Sequence, residues 1–109
     1  MLFPKSQVEM IVNGEKVATL RKPTYNIIVG KEHKFVNNFK YGAFASAYIT
    51  SAELISVDDI TDELAHYLGY FNREEYLANG WNDEFDRRLL ISWSNISVNW
   101  DAVDKILNR

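Results

Sequence analysis

Residues 14–21 of the chain read GEKVATLR and are followed by a proline at position 23. Glycine favours a turn, and proline cannot donate a hydrogen bond within a sheet, so this segment predicts a turn and then a strand that stops before Pro23. A short helix is expected before the turn. Ser6 is its candidate N-cap, Glu9 completes a capping box, and Gly14 is placed to end the helix.

Strand-like runs continue towards the C-terminus, at residues 33–36, 43–57 and 89–98. An apolar segment, residues 25–29, leads to the turn residue Gly30 before the first of them. The run at residues 43–57 is longer than the roughly five or six residues of a usual strand. We therefore expect a bulge or a bend in it, as a small barrel requires.

The helical segments lie mainly in the second half of the chain. Thr61 and Asn72 are candidate N-caps, and carboxylates follow each in the first turn, where the helix dipole favours negative charge. Asn99 begins a last helix over about residues 99–108. Because strands and helices do not alternate regularly, the pattern favours the α+β class over a doubly wound sheet. The prediction is one domain over residues 1–109, a small mixed β-barrel with short peripheral helices.

The composition is that of a globular domain with one core. Hydrophobic residues make up 47% and charged residues 25% of the 109 residues. The net charge of −3 is unevenly spread, because residues 1–50 hold seven Lys and Arg against three Asp and Glu, and residues 51–109 hold five against twelve. A protein that grips long nucleic acid presents a strongly basic surface. The charge therefore favours a small ligand or a local contact with RNA.

Composition also bounds the kinds of site to expect. The chain has no cysteine, and His33 and His66 lie far apart without clustered partners, so no disulfide, metal site or cofactor is predicted. The N-terminus has no signal-peptide pattern, and no run reaches the roughly 18 apolar residues of a membrane span. The expected location is the cytoplasm, without a membrane partner.

Three stretches of the chain together resemble a known family. The first is the GEKVATLR segment, similar to a G-x-K-x-x-T-x-R signature that follows a short helix. The second is VDDITDELA at residues 57–65, similar to a D-I-T-D-E-x-A helix start. The third combines Gly69 and Tyr70 with EEYL at residues 74–77. In this order, over about residues 3–96, they resemble the ASCH family, including its small bacterial and phage members.

The resemblance implies a PUA-like β-barrel with a pocket near the strand that carries the signature. Members of the family are linked to RNA binding, and some small ones are amidohydrolases that act on N4-acetylcytidine, so the implied partner is RNA or a modified nucleoside. The signature residues fall at Lys16, Thr19 and Arg21 of this sequence. The glutamate of the enzymes falls at Leu68, in the stretch AHYLG.

These residue types suit amide hydrolysis. The Thr19 hydroxyl is a weak nucleophile until a base takes its proton, and Lys16 can act as that base if burial lowers its pKa. A carboxylate would orient the lysine or handle the leaving amine, which a leucine cannot do. In a regular strand Lys16 and Thr19 point to opposite faces, so their cooperation requires Lys16 to lie in the turn before the strand.

Three functions remain open from the sequence. The first, which we predict, is a nucleoside- or RNA-binding module in which Lys16, Thr19 and Arg21 contact the ligand. Tyr25 is a candidate stacking partner for a base, although packing is the commoner role of a tyrosine. The second is an amidohydrolase of N4-acetylcytidine or a similar acylated nucleoside, with Thr19 and Lys16 as catalytic residues. The third is an interaction protein with an acidic C-terminal half. A carboxylate facing Lys16 would favour hydrolysis, and a wall of Leu68 and other apolar groups would favour binding.

Overall fold

The computed structural model describes residues 1–81 and 85–109. Its elements, in chain order, are α1 (Lys5–Val12), β1 (Ala18–Arg21), β2 (Glu32–Val36), β3 (Ala43–Ser56), a 3-10 turn (Val57–Asp59), α2 (Asp62–Tyr67), α3 (Arg73–Asn79), β4 (Arg87–Val98) and α4 (Trp100–Leu107). Each helix in these two ranges is too short to cross a membrane.

The strands of the described residues form one antiparallel sheet in the order β1-β4-β3-β2, curled into a half-barrel. The pairing of β3 with β4 shifts register between Ser46 and Tyr48, and again between Ile49 and Ser51. Such irregularities bend a strand and increase its twist, so they help to curl the sheet. The α+β class and the barrel-like sheet with short helices are confirmed, and so is the bend in the long run.

Local signals set most helix starts. Thr61 and Asn72 each accept a hydrogen bond from the backbone N–H three residues later, at 3.0 and 2.9 Å, and so cap α2 and α3. Asn99 caps α4 in the same way, at 3.3 Å. The predicted cap at Ser6 is wrong. Helix α1 begins directly after Pro4, whose extended backbone leads into the first turn without a side-chain cap, so Ser6 lies inside the helix.

Two groups of buried side chains fill the interior. The larger core group packs the sheet against α1 and α4 around an aromatic centre, in which the ring centroids of Phe35 and Trp93 lie 4.8 Å apart. The smaller core group packs α2 and α3 against β1 and β4. Its buried members are Ala18, Ile55, Ile60, Ala65, Leu68, Tyr76 and Leu90. Alternation along β1 directs Ala18 into this smaller group and Thr19 to the opposite face of the strand.

Candidate functional site

A polar cavity of about 270 Å³ opens beside β1. Its lining includes Leu2 and Pro4 of the N-terminal arm (residues 1–4), together with Gln7 of α1. Residues at the end of α2 and in α3 also line it. Strand β1 and the turn before it contribute Lys16, Thr19 and Arg21, so the three signature residues meet in one concave site.

Lys16 lies in the turn rather than in the strand. The chain turns at Gly14, which has a φ of +80°, and the N–H groups of Glu15 and Lys16 both donate to the carbonyl of Met10, at 2.9 and 3.0 Å. Because regular pairing begins only after Lys16, strand alternation does not separate its side chain from Thr19. Both side chains are buried, at 2% and 6% exposure, and both line the cavity.

The ammonium group of Lys16 is bound by the backbone. Its Nζ donates a hydrogen bond of 2.7 Å to the carbonyl oxygen of Leu68, at the end of α2. The next residue, Gly69, has a φ of +96°. A Cβ at this position would lie 3.1 Å from Met10 Cε and 3.5 Å from Lys16 Cδ. Glycine thus allows the left-handed turn and leaves room for the Met10 side chain, whereas the lysine stem would be at ordinary contact distance.

The cavity changes the acid–base behaviour of Lys16. Burial, and secondarily the positive charge of Arg21, lowers the pKa of the Lys16 ammonium from 10.5 to about 7. The described residues that line the cavity include no Asp or Glu. Lys16 therefore exchanges its proton near neutral pH, and no carboxylate of the described lining holds it charged.

Leu68 takes the position at which the resemblance expects a glutamate. The residue is 1% exposed, and its side chain packs with Ala18, Ile60 and other members of the smaller core group, while Leu68 as a residue also lines the cavity. Its only polar contribution to Lys16 is the backbone carbonyl. The described lining gives Lys16 no carboxylate, the feature that would favour hydrolysis, but it is not a wholly apolar wall either, since Gln7 and Asn79 also line the cavity.

Arg21 lies where the N-terminal arm meets β1. Its Nη2 donates to the carbonyl of Leu2 at 2.7 Å, and its guanidinium carbon lies 4.8 Å from the ring centroid of Phe3. The ring of Tyr25 lies 5.5 Å from the same carbon. Tyr25 does not line the cavity. It lines a neighbouring groove, so its predicted role as a stacking partner concerns that surface.

The fold that carries this cavity is similar to that of a known protein. No family model and no curated protein matches the chain. Solved structures of the ASCH protein from Zymomonas mobilis do match. One shares 13% identity at a TM-score of 0.63, over 96% of this chain and 75% of that one. A mutant form shares 12% identity at a TM-score of 0.66, over 100% of this chain and 78% of that one.

The chain has the fold of an ASCH domain. At these identities the likeness concerns the fold alone, and at that level it confirms the resemblance predicted from the three motifs. The GEKVATLR signature forms the turn and the edge strand β1 of the ASCH half-barrel.

Two tyrosines of the cavity were not predicted from the sequence as site residues. The rings of Tyr70 and Tyr76 meet edge to face, with centroids 5.0 Å apart and planes at 74°. Burial raises the pKa of both phenols, that of Tyr76 to about 12, so both keep their protons at neutral pH. A Cβ at Gly80 would clash with the Tyr76 ring and lie 3.1 Å from the Tyr70 hydroxyl. Gly80 thereby leaves room for the pair.

The amides of Gln7 and Asn79 also line the cavity and were missed. They lie on α1 and α3, which are about seventy residues apart in sequence. Neither belongs to a motif, so only the packing of the helices brings them together. For Tyr70 and Tyr76 a signal existed, because the third motif contains both.

Proposed function

We propose that this chain is a nucleoside- or RNA-binding ASCH module that takes one base-sized group into the cavity beside β1. The observation that carries the proposal is the meeting of buried Lys16, Arg21 and two tyrosines in one cavity whose described lining has no carboxylate. The volume of about 270 Å³ is just below the roughly 300–1,000 Å³ of pockets for drug-sized ligands. It suits one base with part of its sugar.

The polar groups of the lining fit the chemistry of a nucleobase edge. Bases present carbonyl oxygens and ring nitrogens as acceptors, and amino groups as donors. Lys16 and Arg21 supply donors only, whereas the amides of Gln7 and Asn79 supply donors and acceptors. Unpaired bases are the part of RNA that proteins read by hydrogen bonds to base edges and by stacking on aromatic rings. The lining therefore supports an unpaired base or a nucleoside as the ligand.

Because Lys16 titrates near neutral pH, ligand binding should depend on pH. Its pKa of about 7 arises from burial and from Arg21, with no opposing charge in the described lining. A ligand that brings an acceptor to Nζ favours the charged form of the lysine. Binding is then accompanied by proton uptake at pH values above about 7, and it weakens as the pH rises further.

Hydrolysis of an acylated nucleoside is the second candidate, and one observation favours it. Thr19 lines the same cavity as a lysine whose pKa is lowered to about 7. Neutral Lys16 would take the Thr19 hydroxyl proton as the oxygen attacks the acyl carbonyl, and would return that proton to the leaving amine. Water would then release the acyl group from Thr19 as a carboxylic acid. Binding ranks first because it needs no carboxylate.

The experiment is titration of the protein with N4-acetylcytidine and the four ordinary ribonucleosides, followed by calorimetry and by chromatography of the products. We expect saturable binding without turnover. Lys16→Met should weaken it roughly ten- to a hundredfold, the worth of a hydrogen bond from a charged group. Lys40→Gln is the matched control, since Lys40 is exposed and lies outside the cavity lining.

Two other outcomes would change the conclusion. Release of cytidine and acetate that is lost in both Lys16→Met and Thr19→Val would establish the hydrolase instead. Both functions are wrong if the folded protein binds neither these nucleosides nor any RNA that contains them, and hydrolyses none of them.

A further inference from the structure

A second concave surface adjoins the cavity and shares Leu20 and Arg21 with it. This groove has a volume of about 520 Å³. Its other described lining residues are Lys22, Tyr25, Phe85 and Arg88. Because β1 ends at Arg21, the groove begins where the edge strand stops.

Cations and aromatic rings lie side by side in the groove. The guanidinium carbon of Arg21 lies 5.5 Å from the ring centroid of Tyr25. That of Arg88 lies 5.9 Å from Phe85 and 5.2 Å from the adjacent Trp81. The described lining includes three cations and no acid, although the chain as a whole carries −3. The rings of Tyr25 and Phe85 are half-buried. Positive charge beside aromatic rings is the composition of surfaces that bind single-stranded nucleic acid.

Arg21, which lines both the cavity and the groove, has one N–H group without a hydrogen-bond partner among the described residues. Its Nη2 is engaged by the Leu2 carbonyl, whereas its buried Nε has no hydrogen-bond partner among the described residues. Buried donors without a partner are uncommon and call for an explanation. A guanidinium presents its N–H groups in a planar fork that matches phosphate oxygens. Arg21 lines both surfaces, so its guanidinium is the group that a phosphate lying between them would meet.

We propose that the groove binds the nucleotide next to the one held in the cavity, with Arg21 at the phosphate between them and an aromatic ring of the groove against the second base. The ligand is then single-stranded RNA rather than a free nucleoside. This inference rests on the proposed function of the cavity and adds a second subsite to it.

The experiment compares each ribonucleoside with the hexaribonucleotide of the same base, for A, C and U. Calorimetry measures the nucleosides, and fluorescence anisotropy measures the labelled hexanucleotides at about 50 and 200 mM salt. We expect the hexanucleotide of the preferred base to bind at least about fivefold more tightly than its nucleoside, because a second base stacks. Tyr25→Ala should weaken hexanucleotide binding by about 5- to 100-fold. It should weaken nucleoside binding much less, because Tyr25 contacts Arg21 but does not line the cavity.

Lys22 provides an independent variant. It is exposed, so Lys22→Gln tests the groove even if Tyr25→Ala lowers stability. If Lys22 neutralises one phosphate, the substitution should reduce the slope of log affinity against log salt by about 0.7. Matched controls are Tyr41→Ala and Lys40→Gln. Tyr41, like Tyr25, packs against the larger core group and has a cation over its ring, at 5.4 Å, but lines neither surface.

The failures of the two proposals are distinguishable. If nucleosides bind in a Lys16-dependent way but hexanucleotides bind no more tightly, the groove inference is overturned and the proposed function of the cavity stands. The same holds if Tyr25→Ala and Lys22→Gln leave hexanucleotide binding unchanged. Hexanucleotide binding that Lys16→Met does not affect would overturn the role of the cavity, and with it the two-subsite inference. No binding of either probe overturns both.

Discussion

The ammonium nitrogen of Lys16 lies 2.7 Å from the backbone oxygen of Leu68, while the side chain of the same leucine packs in the smaller core group. One residue thus contributes its carbonyl to the cavity and its side chain to the interior. The first two predictions separate these contributions.

The stability of the wild-type protein should rise with pH relative to Lys16→Met. The pKa of Lys16 is 10.5 in the unfolded chain and about 7 in the folded one. Between these values the unfolded chain holds a proton that the folded chain has lost, so the free energy of unfolding increases with pH. Below pH 7 Lys16 is charged in both states, so the free energy of unfolding carries the full cost of burying its ammonium group. From pH 7 to 9 the free energy of unfolding should rise by about 2–3 kcal/mol, since each pH unit contributes about 1.36 kcal/mol.

Urea unfolding of both proteins across about pH 6 to 9 measures this difference. Lys16→Met keeps an unbranched stem in the same space but does not titrate. Parallel pH profiles for the two proteins would show that Lys16 keeps an ordinary pKa in the folded state.

Leu68→Ala should lower the free energy of unfolding by about 2–5 kcal/mol, because a buried leucine is replaced by a void. The control is Leu54→Ala, on an exposed part of β3, which should cost less than about 1 kcal/mol. Since the acceptor of Lys16 is a backbone atom, Leu68→Ala should retain the wild-type pH dependence. Thermal unfolding with similar losses at both positions would contradict the burial of Leu68.

Gly80→Ala should cost about 1–3 kcal/mol through overpacking against the tyrosine pair. The backbone at Gly80, with a φ of −114°, accepts alanine, so the cost comes from the Tyr76 ring and the Tyr70 hydroxyl. A double-mutant cycle with Tyr76→Leu, followed by urea unfolding, checks the cause. In the Tyr76→Leu background most of the cost of Gly80→Ala should disappear. An undiminished cost would place its origin elsewhere.

Arg21→Gln should loosen the N-terminal arm by about 1–3 kcal/mol, because it removes the hydrogen bond to the Leu2 carbonyl and the cation over Phe3. Amide hydrogen exchange at Phe3, whose N–H donates to the Val36 carbonyl at 2.8 Å, reports on the arm directly. Arg109→Gln is the control, and it should change stability by less than about 1 kcal/mol, since its ion pairs are exposed. Unchanged exchange at Phe3 in Arg21→Gln would show that other contacts hold the arm.

The fold was predictable where its signals are local. The caps at Thr61, Asn72 and Asn99 depend on a side chain and an N–H three residues later, so sequence spacing alone finds them. The failed cap at Ser6 shows the limit of such spacing. Helix α1 begins directly after Pro4, and the arm before it is paired with Val36 through backbone hydrogen bonds, which the spacing of Ser6 and Glu9 does not reveal.

The candidate site was predictable only along one segment. Lys16, Thr19 and Arg21 lie within six residues, so a single turn and strand bring them together. Tyr76 lies in the EEYL part of the third motif, but no spacing rule connects a residue of α3 to a strand some sixty residues earlier. Tyr25 shows the opposite error. It is close to Arg21 in sequence, but it follows the turn at Pro23 and lines the groove instead of the cavity.

The left-handed turn at Gly69 has a consequence for how binding determinants are to be sought. Many apolar residues at position 68 would present the same carbonyl to Lys16, because the path of the backbone rather than the side chain supplies it. That path depends on a glycine that is not itself part of the cavity lining. Substitution of Gly69 should therefore displace the lysine charge more than most changes at position 68. A mutational scan confined to the lining side chains would miss the residue that positions the cation.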